Sequence, residues 1–187
     1  VEIKKRFAEF TRNIQGRVPY LYATAHHELY PYGHANALTK GEVYGIANRY
    51  TKYFDYKVNA ADVRTRGYYY IDIPHKDLRV IVLGSCCWSS NNYSETECDW
   101  LRDVALNTNN KVIVFSHMGT TSQTTSNAPD NGALVQSILN DSGKVIAFFH
   151  GHTHWHNLIL PSESGVNFPI VSLEKAWPTT NKTIPSG

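Results

Sequence analysis

The stretch KVIAFFHGHTHWHN, residues 144–157, changes character halfway along. Lys144 to Phe149 contains a nearly continuous apolar run, the pattern of a strand buried on both faces. From there His150, His152, His154 and His156 occupy every second position. In a regular strand that alternation would set all four imidazoles on one face. Such a face makes a poor core, because each ring carries polar nitrogens that need partners once buried. The histidines therefore begin where a buried strand ends, and in open α/β sheets that edge is where ligands bind. Gly151 lets the backbone bend there, so that the imidazoles after it can reach a common centre.

Two other segments repeat this arrangement. KVIVFS, residues 111–116, reads as a buried strand and runs directly into His117. VPYLYAT, residues 18–24, is strand-like and runs into Ala25, His26, His27 and Glu28. Three strand ends delivering imidazoles to one sheet edge form a convergent set. Imidazole is a good ligand for zinc, iron, manganese or nickel, and it titrates near neutral pH.

The rest of the chain supplies alternating strands and helices. Residues 1–13 place Ile3, Phe7 and Phe10 on one helical face, and residues 39–53 do the same with Val43, Ile46 and Tyr50. GYYYIDI (67–73) and LRVIVL (78–83) are strands joined by the turn PHKD, which predicts a hairpin. Ser94-Glu-Thr-Glu97 has capping-box spacing and opens a helix carrying Cys98, Leu101, Val104 and Ala105. Residues 131–139 read as a short helix, and residues 158–160 and 168–173 as two final strands. Alternating strands and helices followed by late hairpin-like strands predict a layered α/β fold with a mixed sheet.

Bulk properties narrow the function classes. The 187 residues suit a single domain with a sizeable core. A formal net charge of +2, with no Lys/Arg cluster, gives no nucleic-acid footprint. No apolar stretch approaches the roughly 18 residues of a membrane span. Cys86, Cys87 and Cys98 form no paired framework and no C-x-x-C, which favours a reduced, cytoplasmic setting.

FSHMG (115–119) and FHGHTH (149–154) resemble the last two sequence blocks of the calcineurin-like metallophosphoesterases, and PYLYATAHHE (19–28) resembles the block before them, P-x-x-x-x-x-G-N-H-[DE]. The hairpin YYYIDIPHKDLRVIVLGS and the helix SETECDWLRDVAL fit the same order, so the resemblance spans about residues 1–173. It implies an α/β sandwich of two mixed sheets flanked by helices, and a metal-dependent phosphoesterase in which a metal-bound hydroxide attacks a phosphate mono- or diester. It also implies divalent metal ions (Mn, Fe or Zn), two in the intact family site. By position, His117 and His152 correspond to ligands of one metal and His154 to a ligand of the other. His26 stands where the family has a metal-binding Asn. His27 corresponds to the general acid, oriented by Glu28.

The family's first two blocks, D-x-H and G-D, are absent from this sequence. None of the eight aspartates is followed two residues later by His or preceded by Gly. Those blocks supply the carboxylate that bridges the metals, and without it the repulsion between two cations goes unneutralised. The chain is therefore expected to be the C-terminal portion of one metallophosphoesterase-like domain, 1–187, truncated at its N-terminus, holding at most one divalent ion tightly. A catalytically impaired scaffold or binding module is the alternative.

Overall fold

A computed structural model of the chain describes residues 66–73, 75–84, 92–122, 124 and 128–174, together with Leu21 and Ala23. Six strands run through them: β1 (Tyr69–Ile73), β2 (Leu78–Val82), β3 (Lys111–Ser116), β4 (Val145–His150), β5 (Asn157–Ile159) and β6 (Ile170–Ser172). The helices are α1 (Glu95–Trp100), α2 (Gly132–Asp141) and the single-turn α3 (Pro161–Ser164). The strands form one mixed sheet in the order β1-β2-β3-β4-β6-β5. The predicted helices over 1–13 and 39–53 lie outside the described residues, as does most of the strand at 18–24.

The hairpin forms as its sequence predicts. β1 and β2 pair antiparallel with Asp72 opposite Arg79, and the two side chains make a forked ion pair at 2.7 and 2.8 Å. That guanidinium holds the Asp72 carboxyl below its usual range, chiefly through the hydrogen bond. It also lies 3.9 Å over the Tyr70 ring and donates to the carbonyl of Ala105 at 2.8 Å, tying the hairpin to the helical layer. From β2 onward the pairing is parallel, β2 with β3, β3 with β4, and β4 with β6. β5 then pairs antiparallel on the outer edge of β6. The four parallel strands thus finish on one edge of the sheet.

One face of the sheet carries the main core, in which Trp100, Leu101, Val112, Val114, Leu139, Phe148 and Phe168 are buried beneath the helices. On the other face, among the described residues, Tyr69, Ile71, Val80 and Val82 are buried, with Leu21, Ala23 and Phe115 packed against them. β3 and β4 are expected to be buried on both faces, and the structure buries one face fully and the other only in part. Along β3 buried residues alternate with partly exposed ones. In β4 the register shifts by one residue opposite Val112/Ile113. The bulge turns Ile146 outward, where it is 44% exposed. Among the described residues no helix is long and apolar enough to cross a membrane.

α1 departs from the capping box that its sequence predicts. The Ser94 hydroxyl accepts from the Glu97 amide, so half of the box forms. The Glu97 carboxyl does not reach back. It turns into the core and accepts from the Gly84 amide at 2.7 Å, just beyond the end of β2. There it is fully buried, with Oε2 unpartnered among the described residues. An ionised carboxylate in so dry a place is costly, so burial pushes the acid up to about 8, against the smaller opposing effect of the Gly84 hydrogen bond. The helix itself continues past Trp100 as a π-helical turn, Leu101–Ala105, closed by a bond from the Leu106 amide to the Leu101 carbonyl at 3.0 Å.

Because Glu97 holds its proton more tightly folded than unfolded, the folded state binds the extra proton between about pH 4.5 and about pH 8. Stability is then fully present below that window and falls as pH rises through it. Glu97→Gln keeps the acceptor for Gly84 and removes the ionisation. Urea denaturation should show the parent protein weakening from pH 6 to pH 8.5 while the variant stays nearly level. Parallel slopes for the two proteins would disprove a buried neutral acid at this position.

Candidate metal centre

Register brings the histidine segments together. In the parallel ladder Ser116 pairs with His150, and His150 with Ser172. The pairing extends beyond the strand ends: the Gly151 amide donates to the His117 carbonyl at 3.1 Å, and the Leu173 amide to the His150 carbonyl at 2.7 Å. His117 and Gly151 therefore leave the sheet side by side. From the helical face the fully buried Tyr93 steadies the end of β3. Its hydroxyl donates to the Met118 carbonyl at 2.9 Å and accepts from the Ser116 hydroxyl at 2.9 Å.

Beyond Gly151 the chain turns sharply. The Thr153 amide donates to the Gly151 carbonyl at 2.8 Å around His152, whose φ is +66°. An i→i+2 bond about a residue of positive φ is a γ-turn of the rarer, strained hand. His154 follows at φ +62°. The expected flexible element is thus displaced: Gly151 has no left-handed φ, and a Cβ there would meet only the His117 carbonyl oxygen at 3.8 Å. The histidines themselves carry the bend. Their alternation does not continue a strand face, because β4 ends at His150.

The turn aims His152 at His117. His152 Nδ1 lies 3.2 Å from His117 Nε2, with the rings nearly perpendicular at 80° and their centroids 5.2 Å apart. Either one nitrogen carries a proton and donates to the other, or both lone pairs face a cation. The separation is that of an N–H···N hydrogen bond, and it is also that of two ligands on one ion. Two nitrogens each about 2.0–2.1 Å from one tetrahedral ion stand about 3.3 Å apart. The pair therefore fits two sites of a divalent cation's coordination sphere.

His154 is exposed and stands outside this pair, and among the described residues no three His, Cys, Asp or Glu side chains converge on a common centre. His26, His27 and Glu28 lie outside the described residues, as do Cys86 and Cys87. Cys98 is buried, and burial, then the neighbouring Glu97, pushes its thiol up to about 11, which suits an inert core residue rather than a ligand. His150 is only 1% exposed. Its Nδ1–H donates to the Gly151 carbonyl at 3.0 Å, and burial holds its pKa below the usual histidine value, so it stays neutral.

No local pattern marks Ser172 or Tyr93 as parts of the site's frame. Nor does any single out Thr153, although that residue sits inside the histidine motif. Ser172 lies near the end of a short strand, and its hydroxyl meets that of Thr153 at 2.7 Å. Nothing in the local pattern places β6 beside β4.

No family model and no curated protein matches the chain. Among solved structures it is similar to a crystal structure of a dimetal phosphatase from Danio rerio, at 16% identity with a TM-score of 0.47. The similarity covers 57% of this chain and 48% of that one, so the chain spans about half the length of that protein.

Since no left-handed φ or close neighbour demands glycine at position 151, Gly151→Ala should leave thermal stability within about 1 kcal/mol of the parent. A loss of several kcal/mol in calorimetry would show that this backbone needs glycine after all.

Proposed function

We propose that this chain carries the histidine-rich part of a metal-dependent phosphoesterase, acting on a phosphate mono- or diester. The observation that supports it most is the approach of His117 Nε2 and His152 Nδ1, from two adjacent parallel strands, to the spacing of ligands on one cation. His117 and His152 would hold a divalent ion such as manganese, iron or zinc through those nitrogens, with both rings neutral. His154, on the next turn, is proposed as a ligand to a second ion, and His26 as a further donor. When bound, such an ion supplies charge neutralisation for a phosphoryl group and makes water more acidic. The protein's own part is to keep the two imidazoles at fixed spacing, with their unprotonated nitrogens turned toward each other. His27, followed by Glu28, is proposed as the acid that protonates the leaving oxygen, a role that typically contributes about 10²–10⁴ in rate. An α/β sandwich of two mixed sheets is the architecture this proposal implies, of which one six-stranded sheet is described.

A second interpretation is a metallophosphoesterase-like module that binds a cation without turning substrate over. Two observations favour it: the sequence has no D-x-H or G-D motif, and no third ligand joins the pair among the described residues.

Hydrolysis of an aryl phosphate monoester and of an aryl phosphodiester, each with added manganese, separates the two. A phosphoesterase should lose activity by at least about a hundred-fold in His117→Ala or His152→Ala, losing more than the usual outer-shell effect. His156→Ala should remain within a few-fold of the parent. Binding of one ion without turnover would select the silent module. Turnover indifferent to both substitutions and to chelator would exclude the metal-dependent assignment.

A further inference from the structure

We propose that the hydroxyl pair of Thr153 and Ser172 is a positioning device for the two facing imidazoles, fastening the turn after β4 to the end of β6 so that His152 Nδ1 stays at ligand spacing from His117 Nε2. The inference rests on the function proposed above, because it concerns how that same pair is held.

His152 sits at φ +66° inside a turn closed by the Thr153 amide and the Gly151 carbonyl. A residue with a Cβ stays in that conformation only where its surroundings hold it there. Two tethers act on the N-terminal side of His152. The Gly151 amide is bound to the His117 carbonyl at 3.1 Å, and the Gly151 carbonyl receives His150 Nδ1–H at 3.0 Å. On the C-terminal side the Thr153 hydroxyl meets the Ser172 hydroxyl at 2.7 Å, the usual length of a good O–H···O bond.

Ser172 is a firm anchor. It is buried, and its backbone pairs in register with His150. The bond therefore links the turn to the same strand height from which His150 departs, closing a ring of short connections around His152. A hydroxyl bond of this kind contributes geometry rather than charge. Without it, the turn is free to relax toward negative φ and to swing Nδ1 away from His117. Groups that orient metal-binding imidazoles typically change cation affinity about 10–100-fold when removed.

The test measures zinc and manganese binding to the full chain by calorimetry and chelator competition, with thermal melting alongside. Thr153→Val keeps the shape and removes the hydroxyl, while Thr153→Ser keeps the hydroxyl. Thr153→Val and Ser172→Ala should each weaken binding about 10–100-fold, and the double variant should be no weaker than the worse single one, since they share a bond. Thr153→Ser should return affinity to near that of the parent. In a His117→Ala background Thr153→Val should have no further effect. If Thr153→Val does not fold, Ser172→Ala reads the same bond from β6. Parental affinity in both variants, or a Thr153→Ser as weak as Thr153→Val, overturns the positioning role while leaving the function in place. A parent chain that binds neither metal overturns both, which is a different result.

Discussion

Parallel pairing of Ser116 with His150, and of His150 with Ser172, sets the height at which three neighbouring strands stop. Everything at the sheet edge follows from that register. A slip of one residue would exchange the faces of β4, sending Phe148 out of the core and Phe149 into it. Phe148 is fully buried and Phe149 only partly so, and Val112 and Val114 on the adjoining strand share the core with Phe148. Apolar burial thus fixes the register, and the register in turn brings His117 beside Gly151. The histidine pair is a consequence of how the core packs.

Beneath that edge several buried polar groups make specific contacts. Tyr93 joins Ser116 to the Met118 carbonyl, burial keeps His150 neutral while its Nδ1–H binds the Gly151 carbonyl, and Glu97 meets the Gly84 amide as an uncharged acid. These contacts touch the backbone where β2, β3 and β4 end. They restrict the directions in which the chain can leave the sheet. The side chains that face the opening inherit that restriction, and His152 shows it most clearly in its strained φ.

How much of this could be read in advance depended on the range of the interactions. The hairpin, β3, β4, α1 and α2 follow from local patterns, namely apolar runs bounded by turn residues and helical spacing opened by Ser94. Three features depended on distant partners and were not visible. Glu97 turns inward because Gly84, 13 residues away, presents an amide. β6 inserts between β4 and β5, although β5 comes first in sequence. Left-handed φ falls on His152 and His154 where local reasoning assigns freedom to Gly151, and the turn at His152 is flanked by hydrogen bonds to His117 and to Ser172 of β6. For the site, F-S-H and G-H-x-H mark His117 and His152, whose ring nitrogens lie 3.2 Å apart in the structure. The sequence also marks His26, His27 and Glu28, which fall outside the described residues.

Under the proposed function, His117 Nε2 and His152 Nδ1 would hold one cation together. Nitrogen-15 NMR of the histidine rings during titration with cadmium-113 tests it most directly, because a bond to the metal splits the ligating nitrogen and no other. One equivalent of cadmium should produce coupling at Nε2 of His117 and at Nδ1 of His152 together. Coupling at neither nitrogen, or at one while the other keeps its proton, would contradict the claim.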